Sequence, residues 1–578
     1  MERRVLLAIF LSFLVLYVYQ ALVVKPVPKR PVSAQSVPEP AAAPAPAVLP
    51  APEAASPRPQ RPATGAIPVV SDAAERDIPV ETRDIIAVFT NRGGRLKSWR
   101  LKHYKNTKDE PQELIESGLT LATPAGIVEQ QPLPFSLKTP DSAISATLNE
   151  SLYAVTQPTA SSPDLRFEYR DSSGLHVTKR FHLDPASYVV TFQAAVTQED
   201  LPVPAAILWG PALADTTEVS RYAQKPAGLL FQNGKVQRLS PKDIAKQAAY
   251  EGDFGFAGVD DNYFMTVALS VTAARITFQP VAIPPPASSK ETPRELVAYS
   301  IEPRSTDEPM KFFVGPKDFA VLSAVHHDLP NAINFGMFKV IVVPLLQSLK
   351  WVNSFVGNYG WSIVVLTILI NAIMFPLRHK STVSMRKMQE IQPQVKAIQD
   401  RYAKLKATDP AKQKMNQELM ALYKERGVNP ASGCVPMLLT MPVLLAMWAL
   451  LQTSIELRGA PWFGWIHDLS AHDPYYVLAA LMGATGFWQQ RMMPASGADP
   501  AQQKMMMFMP LMMTVMLAWL PAGALIYYVV TNIWMIGQQY LTNYLIGPPN
   551  IRTVRPPAER RLKRAGAGRT DAAASDAE

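Results

Sequence analysis

Residues 359–380 read YGWSIVVLTILINAIMFPLRHK, and this stretch decides the class of the chain. Residues 361–377 are apolar almost without interruption, close to the roughly 20 residues that cross a bilayer as a helix. Arg378, His379 and Lys380 follow at once, and clustered lysine and arginine at one end of a span mark its cytoplasmic side. The reading is a membrane protein, and the other segments are placed relative to this one.

Downstream, residues 378–433 hold twelve lysines and arginines, whereas residues 456–474 hold only Arg458. That asymmetry places the first segment in the cytoplasm and the second outside. Further spans are expected at residues 434–454, 475–488, 505–520 and 524–545, and one upstream at 5–24 behind Arg3 and Arg4, six in all. Tyr19, Gln20 and Leu22 supply no small-residue cleavage site, so the first helix reads as an uncleaved signal-anchor. Six spans from an internal N-terminus return the C-terminus inside, in keeping with Arg552, Arg555, Arg560, Arg561, Lys563 and Arg564 in the tail 546–578.

The basic segment 379–430 has order of its own. Met385, Met388, Ile391, Val395, Ile398, Tyr402 and Leu405 recur at helical steps, and Met415, Leu419 and Leu422 continue a second stripe that ends near Gly427. Asp409 and Pro410 suit an N-cap and first helical position. The pattern predicts a cytoplasmic αα-hairpin, with Pro393 expected to break the first helix or open a new one.

Residues 25–74 are dominated by proline and alanine and read as an extended spacer. Residues 75–330 read as strands: Leu165, Phe167 and Tyr169 alternate with polar residues, as do Leu175, Val177, Phe181 and Leu183. Gly93 and Gly94 read as a turn. The histidines of this region (His103, His176, His182, His326, His327) show no metal-binding spacing, and no nucleophile motif is present. Residues 331–358, broken by Lys339, Pro344 and Lys350, suit an interfacial amphipathic helix.

The whole chain adds bounds. Its 578 residues exceed one domain, and Cys434 alone permits no intramolecular disulfide and no thiolate metal site. The net charge of +9 is gathered beside apolar runs, which fits a membrane protein and gives no specific nucleic-acid site. No G-x-x-x-x-G-K-[ST] occurs, so the chain offers no nucleotide engine, and no cofactor or metal is expected. Residues 504–523, KMMMFMPLMMTVMLAWLPAG, concentrate methionine, which packs as an ordinary core residue or offers a soft surface to varied apolar partners.

The blocks YGWSIVVLTILINAIMFPL, SMRKMQEIQPQVKAIQDRY, ALYKERGVNPASGCVPMLLTMPVLLAMWALL and QQKMMMFMPLMMTVMLAWLPAGALIYYVVTN resemble the YidC/Oxa membrane-protein insertases over residues 359–545. The first helix and the large external domain resemble the Gram-negative type. The resemblance implies an α+β membrane protein of the bacterial inner membrane. Five of its six transmembrane helices would form the insertase core, beside a periplasmic antiparallel β-supersandwich that is not an enzyme. It implies an insertase and chaperone that receives nascent hydrophobic segments in a hydrated groove and releases them sideways into lipid, alone or with the Sec translocon. The basic hairpin and tail suit a ribosome as a further partner.

Carried over by position, the resemblance implies that Thr367 and Tyr528 are polar groove residues and that Leu444, Met482 and Met516 lie near substrate, with Met512 and Met513 on the same slide. Asn371 stands where many members carry an arginine, and Arg378 and Lys380 at the cytoplasmic mouth are expected to substitute for its charge. Plainer roles stand beside these. Thr367 suits a bond to its own helix, Tyr528 an interfacial anchor and Asn371 a helix–helix hydrogen bond. Other readings of the whole chain are a secondary transporter, disfavoured by the lack of midplane charges and repeats, and a membrane-anchored carbohydrate-binding or epimerase-like protein.

Overall fold

The computed structural model describes residues 67–546 except 107, 116–119, 123–127, 158, 160–161, 214–222, 284–293, 305, 403–410, 429–434 and 493–499. The expected signal-anchor at 5–24, most of the spacer, the Asp409-Pro410 cap, Cys434 and the basic tail lie outside the described residues.

The β-domain is built on one 14-stranded sheet. Its main path runs Pro68–Val70, Asp164–Asp171, Leu175–Leu183, Val189–Gln198, Met310–Pro316, Phe264–Ile283, Ala249–Asp260, Ala227–Gln232 and Lys235–Leu239. The pairings along this path are antiparallel. Alternation sets the faces: Leu165, Phe167 and Tyr169 oppose Phe181, Lys179 and Val177, all turned into the core. Lys179 follows the apolar register inward, and its Nζ donates to Gly93 O at 2.6 Å and Phe135 O at 2.9 Å. Burial holds this amine well below the ordinary lysine range, and Arg95 pushes the same way. Gly93 and Gly94 form the turn between Ile85–Thr90 and Arg95–Lys105 with φ of +71° and +53°.

The structure departs from the expected fold in two respects. The 20-residue strand Phe264–Ile283 bonds Met310–Pro316 along its first part and Arg294–Glu302 along its last. The sheet therefore branches there and ends openly at Lys235–Leu239, beside separate four-stranded and two-stranded sheets, and does not close as a supersandwich. The six-span count also fails: among the described residues one helix, Tyr359–Arg401, is long and apolar enough to cross a membrane. Apolar runs overcounted spans. The helix after Tyr475 has only 16 residues, and tyrosines and amides dilute Ala522–Ile546.

The helices, in chain order, are α1 (Ser142–Glu150), α2 (Pro241–Ile244), α3 (Phe319–Val325), α4 (Lys339–Val356), α5 (Tyr359–Arg401), α6 (Ala411–Glu425), α7 (Val435–Thr453), α8 (Val477–Met492), α9 (Pro500–Leu517) and α10 (Ala522–Ile546). The first two accompany the sheet. On α4, Val342, Leu346, Leu349 and Val352 are buried while Val340, Trp351 and Phe355 are exposed, a two-faced helix. Helix α5 is 43 residues long and runs through both Pro376 and Pro393, so Pro393 neither breaks it nor starts another. One proline removes one backbone donor, and helical residues on both sides hold the register. The hairpin packs as the stripes require: Ile391, Val395 and Ile398 of α5 meet Leu419 and Leu422 of α6. Gly427, at φ +63°, follows α6.

Three residues, Lys350, Arg458 and Asn262, tie the β-domain to the helical part. Lys350 of α4 lies 3.1 Å from Asp318, whose carboxylate caps α3, and 2.7 Å from Glu456 after α7. Arg458 donates to Lys105 O and to Gln112 Oε1, both at 2.8 Å, with its guanidinium 5.0 Å from the centre of the Phe264 ring. Asn262 Nδ2 donates to Gln452 O at 3.0 Å.

Candidate functional site

Helix α10 packs against α5 on one side and α8 on another, and α8 packs against α9. The turn of α5 nearest the sheet is seated by Gly360, where a Cβ would meet Trp462 Cδ1 at 2.1 Å. Two turns further, a polar line begins on the buried face. Thr367 Oγ1 donates to Ile363 O at 2.6 Å, the intrahelical bond expected of a threonine in an apolar helix. Asn371 Nδ2 donates to Thr367 O at 2.8 Å. Arg378 folds back along α5, and its Nη1 donates to Asn371 Oδ1 at 2.5 Å.

The facing surface of α10 continues this line. Gln538 and Thr542 are buried, His379 Nδ1 lies 3.3 Å from Thr542 Oγ1, and Arg386 donates to Asn543 Oδ1. Arg378 Nε, Trp534 Nε1 and Gln538 Oε1 are buried with no hydrogen-bonding partner in the protein. No carboxylate pairs with Arg378 among the described residues. The face is thus polar, cationic and incompletely satisfied.

The structure joins some expected site residues and separates others. Thr367, Asn371 and Arg378 share one face of α5, while Lys380 is exposed. Tyr528 is half-buried, its ring 5.6 Å from that of Tyr527. Met512 and Met516 are exposed on α9 beside the partly exposed Met513. Leu444 is half-buried on α7, and Met482 faces inward on α8, its carbonyl accepting from Asn532 Nδ2 at 3.3 Å. Met482 therefore does not share the open methionine surface. His379 and Arg386 were read only as part of the basic cytoplasmic segment, and Gln538 and Thr542 were not singled out. Their signal was the step of four from Gln538 to Thr542, a polar stripe within an apolar helix.

The fold joins a helical bundle, with a membrane-length helix and a buried polar seam, to an antiparallel β-domain, the architecture of a membrane-associated helical protein with a separate β-module. Residues 351–547 match the 60Kd inner membrane protein family, and residues 77–348 match the YidC periplasmic domain. The membrane protein insertase YidC of Syntrophus aciditrophicus is 33% identical over 570 residues, covering 94% of this chain and 99% of that one. That of Pelobacter propionicus is 33% identical over 573 residues, covering 94% and 100%. A crystal structure of an active YidC insertase with its first transmembrane domain resolved aligns over 83% of this chain and 95% of that one, with 18% identity and a TM-score of 0.34. The chain belongs to the YidC family of membrane protein insertases. It is a multi-pass inner-membrane insertase and chaperone, not an enzyme, and carries a periplasmic domain. Its general partners are nascent membrane segments, the bilayer and the Sec translocon.

Proposed function

We propose that the seam between α5 and α10 is a hydrated groove that holds the polar flank of a client while its apolar segment passes along α9 into lipid. The observation that carries this reading is the set of buried, unpartnered atoms at Arg378, Trp534 and Gln538. Each such group in hydrocarbon costs about 2–7 kcal/mol, so the seam is stable in a membrane when water or a client reaches it. An apolar client span of about 20 residues gains on the order of 6–12 kcal/mol on entering lipid, against about 2.5–3.5 for each charge carried to the centre. The thermodynamic drive is the client's own, and the groove lowers the barrier by keeping the flank wet.

Arg378 supplies the positive charge at Asn371 that the side chain at 371 lacks. The exposed Met512 and Met516 offer an adaptable apolar surface for segments of differing shape. The basic hairpin and tail face the cytoplasm with both termini and meet the membrane surface or a ribosome during early capture. The test is site-specific photocrosslinking of a stalled client. Probes at Asn371 should capture its polar flank and probes at Met512 its apolar segment. Capture only at the exposed face of α4 would overturn the groove.

A further inference from the structure

We propose that His326, His327 and Asp328 form a binding site for a divalent first-row transition metal at the exit of the β-domain. Three consecutive side chains on an extended strand would alternate in direction, but the backbone turns sharply here. His326 is the C-cap of α3, in extended conformation with its N–H bonded to Leu322 O, whereas Asp328 is helical and opens the 3-10 turn Leu329–Ala332. That change of direction gathers all three side chains.

The geometry is close to that of a ligand set. The two imidazole rings lie 4.4 Å apart between centres. His327 Nε2 and Asp328 Oδ2 are 3.2 Å apart. Two ligands on one tetrahedral ion, each bonded at about 2.0–2.2 Å, stand roughly 3.4 Å from one another, so this pair is already spaced to share a cation. His326 Nδ1 accepts from the Asp328 N–H at 3.3 Å, a long bond that holds the ring beside Asp328 and that this nitrogen gives up when it binds a cation. One donor atom from each residue lies within 4.8 Å of the others, a span that side-chain rotation closes.

Two imidazoles and one carboxylate select Zn²⁺, Cu²⁺ or Ni²⁺ over Mg²⁺ and Ca²⁺, which take oxygen ligands. Three protein ligands leave a coordination position for water, and the exposure of His327 gives ions free access. Occupancy would tie the end of α3 to the turn that leads into α4. The metal would stiffen the passage from sheet to bundle without touching the groove.

The experiment uses untagged full-length protein in detergent, titrated with Zn²⁺ by calorimetry and with Cu²⁺ by electron paramagnetic resonance. Wild type should bind one Zn²⁺ per chain, and the Cu²⁺ spectrum should show nitrogen coupling. His327→Ala and Asp328→Asn should each weaken Zn²⁺ binding by about tenfold or more. His103→Ala, in a strand of the four-stranded sheet and paired with Asp84, should bind as wild type does. Zn²⁺ should raise the unfolding temperature of wild type and not that of His326→Ala/His327→Ala, whose metal-free unfolding temperature reports whether it is folded. Unchanged Zn²⁺ binding in a folded double variant, or no saturable binding by wild type, would overturn the site.

Discussion

The ammonium of Lys350 lies 2.7 Å from the carboxylate of Glu456, joining the amphipathic helix α4 to the loop that follows α7. Asp318, 3.1 Å away, brings in the N-cap of α3, so one cation holds three elements. Burial lifts the Glu456 carboxyl above its usual range against the pull of Lys350. Burial alone would lower Lys350, but Glu456 and Asp318 outweigh it and hold the ammonium above its ordinary value.

Lys350→Met should therefore leave two carboxylates at the joint without their cation. Breaking a buried pair on one side costs about 3–5 kcal/mol, and partial exposure of Lys350 places this variant at the low end. A carboxyl raised in the folded state gives stability below its unfolded range and loses it as pH rises through the raised value. Thermal unfolding of Lys350→Met should accordingly improve from pH 8 to pH 5 relative to wild type. Adding Glu456→Gln should recover most of the loss at pH 8. Equal deficits at both pH values would remove Glu456 from the account.

Asn371→Leu deletes the anchor of Arg378 and should slow insertion of clients with acidic flanks several-fold. Because many relatives carry an arginine at this position, the resemblance alone implies that Asn371→Arg is tolerated. The 2.5 Å contact with Arg378 alters that expectation, since two guanidiniums would compete for one place. Asn371→Arg alone should insert poorly, and Asn371→Arg/Arg378→Asn should work better than either single change. Additive defects in the double variant, measured by client protease protection, would show that the two positions are independent.

Replacing Met512, Met513 and Met516 together with leucine should preserve insertion, because apolar contact area is retained. Met512→Asp should impair it, since a charge would replace apolar contact on the surface that receives the client segment. Equal loss in both variants at equal protein levels would contradict the role of α9 as an adaptable surface.

Gly483 marks the close approach of α8 to α9. A Cβ there would stand 2.6 Å from Thr514 Oγ1, which itself donates to Pro510 O at 2.9 Å. Gly483→Ala should destabilise the bundle by about 1–3 kcal/mol. Thr514→Ala should relieve it, so the double variant should unfold at a higher temperature than Gly483→Ala alone.

Local pattern made much of this legible. The apolar run of α5, the paired stripes of the hairpin and the alternation at Leu165, Phe167 and Tyr169 each follow from a short-range period. Arg458 was visible only as the lone basic residue of an external segment. Its partners Lys105 and Gln112 lie 353 and 346 residues away, and no local signal encodes that contact. Lys179 occupied an inward register that alternation did define, but its charge argued against burial until three-dimensional contacts supplied carbonyl partners. The span count went astray because apolar runs do not register helix length or the tyrosines and amides that α10 keeps for its neighbours. Arg378 was read as a mouth residue from its position in the chain. Its side chain reaches two turns back, which chain position does not reveal.

The unbroken course of α5 has a mechanical meaning. At 1.5 Å per residue, the axis from Asn371 to Arg401 is about 45 Å long, well beyond the roughly 30 Å hydrocarbon layer. Such a helix is a lever whose fulcrum is the tight seat of Gly360 against Trp462. A tilt of about 5° moves its hairpin end by roughly 4 Å per 45 Å of arm, and the polar line at Asn371 turns through the same angle. A displacement of the hairpin would thus turn the polar line at Asn371 as well, because one continuous helix carries both.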